Sequence, residues 1–220
     1  QDVVTLHNCV FLASELIHGK KLAFDHEMAI THGSILKKHS FKKMIANSEL
    51  MKIDTIERFK IPEKDIHVIY PSVNTDVFKC MPEKKKELRD QFQFPDKVIV
   101  SLVTSGNFKK RGLDIFNQAL KLIEPKVREM ASFRVVGKDD PTFVNSPFIV
   151  FDPPMDHIEN YYNAIDIFVL PARIEEFGRV VLEAMSCGLP VVTTNKVGAA
   201  ELLEDISRSY ITPTENPLAT

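Results

Sequence analysis

The sequence has no tryptophan and only three cysteines, Cys9, Cys80 and Cys187, among 220 residues. They are odd in number, lie far apart and form no C-x-x-C pair. A disulfide framework or zinc site is therefore not expected, and a reducing cytoplasm fits better. No apolar stretch reaches the ~18 residues that a membrane-spanning helix needs. Neither sign of charge is in surplus: 28 Lys and Arg against 30 Asp and Glu leave a net charge of −2. A basic nucleic-acid binder is thereby disfavoured. The start, Gln1-Asp2, lacks the basic stretch and long apolar run of a signal peptide. The 15 phenylalanines, without tryptophan, read as core packing rather than a stacking surface.

What is present is an ordinary soluble composition, 44% apolar and 26% charged, in a chain long enough for a sizeable core. There is no initiating Met, and "DVVTLH" reads at once as a buried strand, so the chain reads as a piece of a longer one. After an ill-defined stretch, apolar spacing predicts a helix over about Leu22 to Lys43. "KKMIANSE" reads as a short strand running into a helix capped by Asn47 or Ser48. "IHVIYPS" is a strand stopped by Pro71, and "PEKKKELRD" a charged helix with Pro in its first turn.

From Lys97 the rhythm is regular. Apolar strands ("VIVSLVT", "FRVVG", "FIVF", "DIFVLP", "PVVTT", "SYITP") alternate with helices ("LDIFNQALKLIEPKVREM", "MDHIENYYNAI", "GRVVLEAMSCG", "GAAELLED"). Strands apolar on both faces belong to a parallel sheet covered on both sides. The fold class is α/β, a Rossmann-like doubly wound parallel sheet.

Ligands of such sheets sit beyond the carboxyl ends of the strands, and two loops there stand out. In "SGNFKKRG", Gly106 admits close backbone approach, and Lys109, Lys110 and Arg111 bring cations to a helix start carrying free N–H groups. Together they suit a phosphate. The spacing is neither G-x-G-x-x-G nor G-x-x-x-x-G-K-[ST], and a solvated basic loop is the competing reading. In "PARIEEFGRVVLEAM", Phe177 to Val180 present amides at a second helix start. Glu175 lies just before them and Glu183 further along the helix, so two carboxylates can grip sugar or ribose hydroxyls around an anion held by the amides. Acids at a helix start are favourable in themselves by about 0.3–1 kcal/mol. That accounts for Glu175 and Glu176, but not for Glu183 inside an apolar helix.

At these residues the chain resembles retaining glycosyltransferases of the GT-B fold, whose signature is E-x7-E. Here it reads "EEFGRVVLEAMSCGLPVV", with Glu175 and Glu183 as the two acids. "YYNAIDIFVLPA", "VGAAELLED", "FRVVGKDD", "IHVIYPSVNTDVF" and "KKMIANSELMK" resemble further family segments in the same order. The resemblance implies that residues 1–75 are a remnant of the acceptor domain and the interdomain linker. Residues 76–220 would be the C-terminal nucleotide-sugar-binding domain. Units that normally precede and follow are absent, so transfer by this piece is expected to be weak or nil.

The resemblance further implies site roles. Glu175 and the backbone of Glu176, Phe177 and Gly178 would contact the donor sugar, with Arg179 and Val180 beside them at the helix start. Glu183 would hold the ribose. Lys110 and Arg111, with Gly106 and Asn107 in the same loop, would bind the diphosphate and stabilise the leaving nucleotide. Val136 to Asp140, including Gly137, and Phe151-Asp152 would border the base. Catalysis would rest on Glu175, Lys110 and Arg111, with no cofactor and no metal. Three positions depart from the family pattern. Glu176 stands where Gly is usual, Lys110-Arg111 exchanges the two basic types, and Asn107 replaces a frequent Arg.

The implied reaction is hexosyl or N-acetylhexosaminyl transfer with retention, from a nucleotide sugar, taken as a UDP-sugar, to a glycan or lipid acceptor. A non-catalytic nucleotide-sugar-binding module is the alternative. A nucleotide-sugar 2-epimerase is a third reading, against which the E-x7-E spacing speaks.

Other residues read more plainly. His26, His32 and His39 lack the i, i+4 spacing of a zinc helix. His7, at a strand end, has two readings: a place near the acceptor side of the cleft, or, as His burial favours, a structural or surface histidine. Lys20, Lys21, Lys37, Lys38, Lys42 and Lys43 read as a solvated basic face. Peripheral contact with anionic lipid at the inner membrane face is kept as an option.

Overall fold

In the computed structural model, residues 2–23 and 25–213 are described. A small parallel sheet comes first, with β1 (Val3–Leu6), β2 (Lys43–Ala46) and β3 (Ile66–Val68) in that order. Val3 pairs with Lys43 and Met44 with Ile66. Around it lie α1 (Val10–His18), α2 (Glu27–Lys37) and α3 (Glu49–Phe59). Leu6, Leu36, Met44, Ala46, Met51, Ile61 and Ile66 form their core.

The region expected as one helix over Leu22 to Lys43 is shorter. It starts at Glu27, capped by the His26 ring, which accepts from the Met28 amide at 3.2 Å. It ends at Lys37. The ill-defined stretch before it is α1, closed by Gly19 at φ +64. No side chain caps the start of α1, so the usual N-terminal signal is missing. The expected cap of α3 is Ser48, whose hydroxyl accepts from the Met51 amide at 3.2 Å.

The second sheet holds six parallel strands: β4 (Val98–Val103), β5 (Ala131–Val136), β6 (Ile149–Asp152), β7 (Ile167–Leu170), β8 (Val191–Thr194) and β9 (Ile211–Thr212). They lie in the order β6-β5-β4-β7-β8-β9. Counted within this sheet, the order is 3-2-1-4-5-6, the doubly wound Rossmann arrangement. Between the strands run α4 (Lys85–Gln91, ahead of β4), α5 (Leu113–Leu122), α6 (Pro125–Glu129), α7 (Ile158–Ala164) and α8 (Arg179–Ser186). Two apolar layers cover the sheet. Leu102, Leu113, Phe116, Leu120, Phe133 and Val135 belong to one. Ile99, Tyr161, Tyr162, Phe168, Val181 and Ala184 belong to the other.

Two further helices differ from the sequence pattern. The stretch from Leu113 to Met130 is two helices, because Pro125 cannot continue the first and instead opens the second. "GAAELLED" forms only a 3-10 turn over Gly198–Leu202. No helix among the described residues is long and apolar enough to cross a membrane.

Candidate functional site

The strand order reverses between β4 and β7, which lie side by side with Val100 opposite Ile167. A crevice opens beyond their carboxyl ends, and both sequence-selected loops border it.

The β4 loop is shaped by its own polar groups. Gly106 has φ +141 and Asn107 φ +59, a left-handed backbone that Asn tolerates better than most residues. The Asn107 side-chain oxygen accepts from the Lys110 amide at 3.0 Å, and the Asp139 carboxylate accepts from the Phe108 amide at 2.7 Å. Phe108 is buried and lies against Gly137, where a Cβ would come within 2.6 Å of its ring. With Phe108 anchored below, Lys110 and Arg111 are carried at the cleft side of the turn.

The two loops interlock. Gly112 has φ +72, and a side chain there would overlap the Pro171 carbonyl oxygen. Arg173 donates to the Lys109 carbonyl at 2.9 Å and its amide to the Lys110 carbonyl at 3.0 Å. Its guanidinium also grips both oxygens of Asp114, at 2.7 and 2.9 Å.

The β7 loop is pinned by pairing with the stretch before Gly198. The Glu175 amide donates to the Lys196 carbonyl, and the Gly198 amide to the Glu175 carbonyl. Ile174 packs into the core of the small sheet and Phe177 into that of the large one. Glu175 and Glu176 are thereby fixed between the two sheets. Gly178, at φ +91, turns the chain into α8, whose start has no side-chain cap.

Four charges meet here. Arg111 pairs with Glu175, and Lys110 pairs with Glu176 at 2.5 Å. Arg111 also donates to the Thr104 hydroxyl at 3.3 Å. Burial pushes the Arg111 guanidinium below its ordinary value, and the charge of Glu176 opposes that shift. Glu176 reaches the small sheet as well: its carboxylate accepts from the Cys9 amide at 3.4 Å, and its carbonyl from the Ser48 hydroxyl at 2.6 Å.

The cleft above these groups has a volume of about 540 Å³ and is lined by Lys110, Arg111, Glu175, Glu176, Phe177, Gly178, Arg179 and Val180. That size suits a small-molecule ligand. His7, Asn8, Asn47, Pro71, Thr104 and Ser105 complete the lining. Of these, His7 has the cleft side as one of its two sequence readings, Asn47 reads from sequence only as a candidate helix cap and Pro71 only as a strand stop, and Asn8 and Thr104 carry no site signal of their own. Folding the small sheet against the large one brings its strand ends to the cleft. A second pocket adjoins, sharing Asn8, Lys110 and Glu176 and running along α1 past Val10, Ala13 and Ile17; Asn107 lines this one.

Glu183, Gly106, Gly137 and Phe151 are outside the lining of the main cleft. Glu183 lies on α8 and accepts from the Tyr162 hydroxyl at 3.3 Å. Burial raises its carboxyl above the ordinary range, while Arg179 and the Tyr162 hydrogen bond oppose the shift. Phe151 stacks obliquely on Phe108, with centroids 6.0 Å apart. No group of three or more His, Cys, Asp or Glu side chains able to hold a metal occurs among the described residues.

Comparison with known proteins identifies the family and matches the fold. A profile of the family "Glycosyl transferases group 1" matches residues 99–220, more than half of the chain. The O-antigen biosynthesis glycosyltransferase WclY of Escherichia coli is 26% identical over 157 residues, covering 68% of this chain and 43% of that protein. D-inositol 3-phosphate glycosyltransferase of Streptomyces bingchenggensis is 24% identical over 194 residues, covering 80% and 42%. The chain thus spans less than half the length of these relatives. Among solved structures, WaaG, a glycosyltransferase of lipopolysaccharide biosynthesis, superposes with a TM-score of 0.76 at 19% identity, covering 91% of this chain and 58% of that one. HepE of Anabaena, in complex with UDP-glucose, gives 0.76 at 22% identity, covering 98% and 59%. By the family profile over more than half of its length, the chain belongs to the glycosyl transferases of group 1.

Proposed function

We propose that this chain carries the donor side of a retaining glycosyltransferase acting on a nucleotide sugar. The observation that carries the reading is the meeting of Lys110, Arg111, Glu175 and Glu176 over the uncapped start of α8. Cations and free amides suit a diphosphate, and adjacent carboxylates suit sugar hydroxyls.

In this reading the bond between the anomeric carbon and the diphosphate oxygen breaks, and its electron pair leaves with the nucleotide. Lys110, Arg111 and the amides of Phe177 to Val180 stabilise that charge in the cleft. The acceptor hydroxyl attacks from the face the diphosphate vacates and gives its proton to the departing phosphate oxygen, so configuration is retained. Glu175 orients the sugar. Glu183, held at one oxygen by Tyr162, would take the ribose hydroxyls.

The protein cations fill the charge-neutralising role that a metal has in other phosphate sites. Transfer is accordingly expected to persist in EDTA. UDP is the nucleotide to try first, since a solved relative carries UDP-glucose. The relative named for O-antigen biosynthesis supports a glycan acceptor. Contact with anionic lipid is retained as a weaker element. Lys20, Lys21 and Lys38 are exposed, but Lys42 pairs with Asp2 and Lys43 with Asp65.

The alternative, a non-catalytic binding module, is favoured by the neutralisation of both cations by carboxylates. The test has two parts. Calorimetric titration with UDP, UDP-glucose, UDP-N-acetylglucosamine and GDP-mannose identifies the donor class. Proton NMR of the product formed with the longer protein reports the anomeric configuration. An inverted product contradicts retention, and binding without turnover favours the module.

A further inference from the structure

Glu176 belongs to the cleft, yet its contacts differ from those of Glu175. Its side chain is 7% exposed, and Lys110 beside it is 15% exposed. One carboxylate oxygen holds the Lys110 ammonium at 2.5 Å, and the other accepts the Cys9 amide at 3.4 Å. Its carbonyl takes the Ser48 hydroxyl and lies where a side chain at position 198 would collide with it. Backbone and carboxylate are thus both fixed, and the carboxylate is delivered to the ammonium that faces the cleft.

A buried ammonium without an anion is costly, so it takes whichever anion is offered. In this chain the anion supplied from within is Glu176. We propose that Glu176 is an internal counterion that competes with the donor's diphosphate for Lys110, so that binding a nucleoside diphosphate requires an exchange of anions at this ammonium. This rests on the donor-site reading above. The exchange moves no covalent bond: the Lys110 side chain loses the carboxylate and gains a phosphate oxygen, and Glu176 keeps the Cys9 amide.

The consequence is unusual for a residue in a binding cleft: removing its charge strengthens binding. A side chain that merely supported the fold or touched the sugar would weaken binding, or leave it unchanged, when altered.

The experiment is calorimetric titration of UDP and GDP, without sugar, into the wild-type chain and into Glu176→Gln, Lys110→Ala and the double variant. Thermal unfolding of each sample is followed in parallel. Glu176→Gln is expected to bind the nucleotide at least fivefold more tightly than wild type. The gain should vanish when Lys110 is also Ala. Glu176→Asp, which keeps the charge but shortens the reach, should tighten binding less and serves if the Gln variant fails to fold. Acylation of the Lys110 amine, read by peptide mass spectrometry, should be slow in wild type, faster in Glu176→Gln, and slowed again by UDP.

Equal or weaker UDP binding by a folded Glu176→Gln, with Lys110→Ala still impaired, overturns the proposal and leaves the donor site standing. Equal acylation in wild type and Glu176→Gln overturns it independently of any nucleotide. If none of the four proteins binds UDP or GDP, the donor reading fails and the proposal falls with it.

Discussion

Single residues set the site's geometry by joining the two loops, and Arg173 joins them most directly. It binds two carbonyls of the cation loop and clamps Asp114 with both arms. Hydrogen bonds to charged groups contribute about 1.5–3 kcal/mol when well made. Arg173→Ala is therefore expected to lower stability by about 2 kcal/mol in denaturant titration and to weaken nucleotide binding roughly tenfold. Arg173→Lys should recover little, because an ammonium cannot reproduce the fork. Unchanged nucleotide affinity in Arg173→Ala would show that Lys110 and Arg111 hold their positions without it. Gly112→Ala should be worse. It adds a left-handed backbone penalty of about 1–2 kcal/mol to a collision with Pro171, and soluble yield and unfolding temperature report it. Glu175 and the Lys110-Arg111 pair, which line the cleft, stand out in the sequence because each sits in a contiguous stretch whose chemistry is local; Glu183 stands out in the same way but lies outside the lining. The partnerships of Arg173 with Asp114, and of Lys110 with Glu176, were not legible. They join residues about sixty positions apart, and a linear pattern holds no trace of them.

At the scale of elements, one contact ties the small sheet to the large one at a helix end. The amides of Glu49 and Leu50, at the start of α3, both donate to the Glu201 carboxylate at 2.8 Å. Tyr70 donates to the same carboxylate at 3.2 Å. An acid at a helix start satisfies unpaired amides and the helix dipole together. Glu201→Ala is expected to cost about 1–2 kcal/mol on the scale of a lost cap. Faster hydrogen exchange should then be confined to the first turn of α3. Faster exchange across all of α3 would instead place its anchorage elsewhere. The regular part of the chain was readable because its strands are short apolar runs with clear stops. α1 was hidden because it opens on Cys9 with no capping side chain. The break between α5 and α6 is masked in the sequence because apolar spacing continues through Pro125, although its ring cannot continue a helix.

For the whole molecule, burial and pH give a further check. Burial raises the Glu183 carboxyl above its ordinary range, so the folded chain keeps a proton that the unfolded chain releases. The stabilising contribution is full below the unfolded value, about pH 4.3, and is lost as pH rises through the raised folded value. Asp54, also raised by burial, acts in the same sense. Glu15, lowered by its hydrogen bonds from Arg58, acts in the opposite one. Glu183→Gln should therefore be more stable than wild type at pH 7, with the difference shrinking toward pH 4. A difference that is constant with pH would mean that Glu183 does not titrate differently on folding. If Glu183 holds the ribose, the same variant binds nucleotide more weakly while being more stable.

The claim on which the functional reading depends is that Lys110 and Arg111 bind a nucleoside diphosphate between the two loops. The most direct measurement is titration of UDP and GDP into wild type and into Lys110→Ala/Arg111→Ala, with unfolding temperature as control. Two lost charge-assisted contacts at about 1.5–3 kcal/mol each should weaken binding at least a hundredfold in a variant that remains folded. Binding that survives the double substitution would place the nucleotide elsewhere and contradict the site.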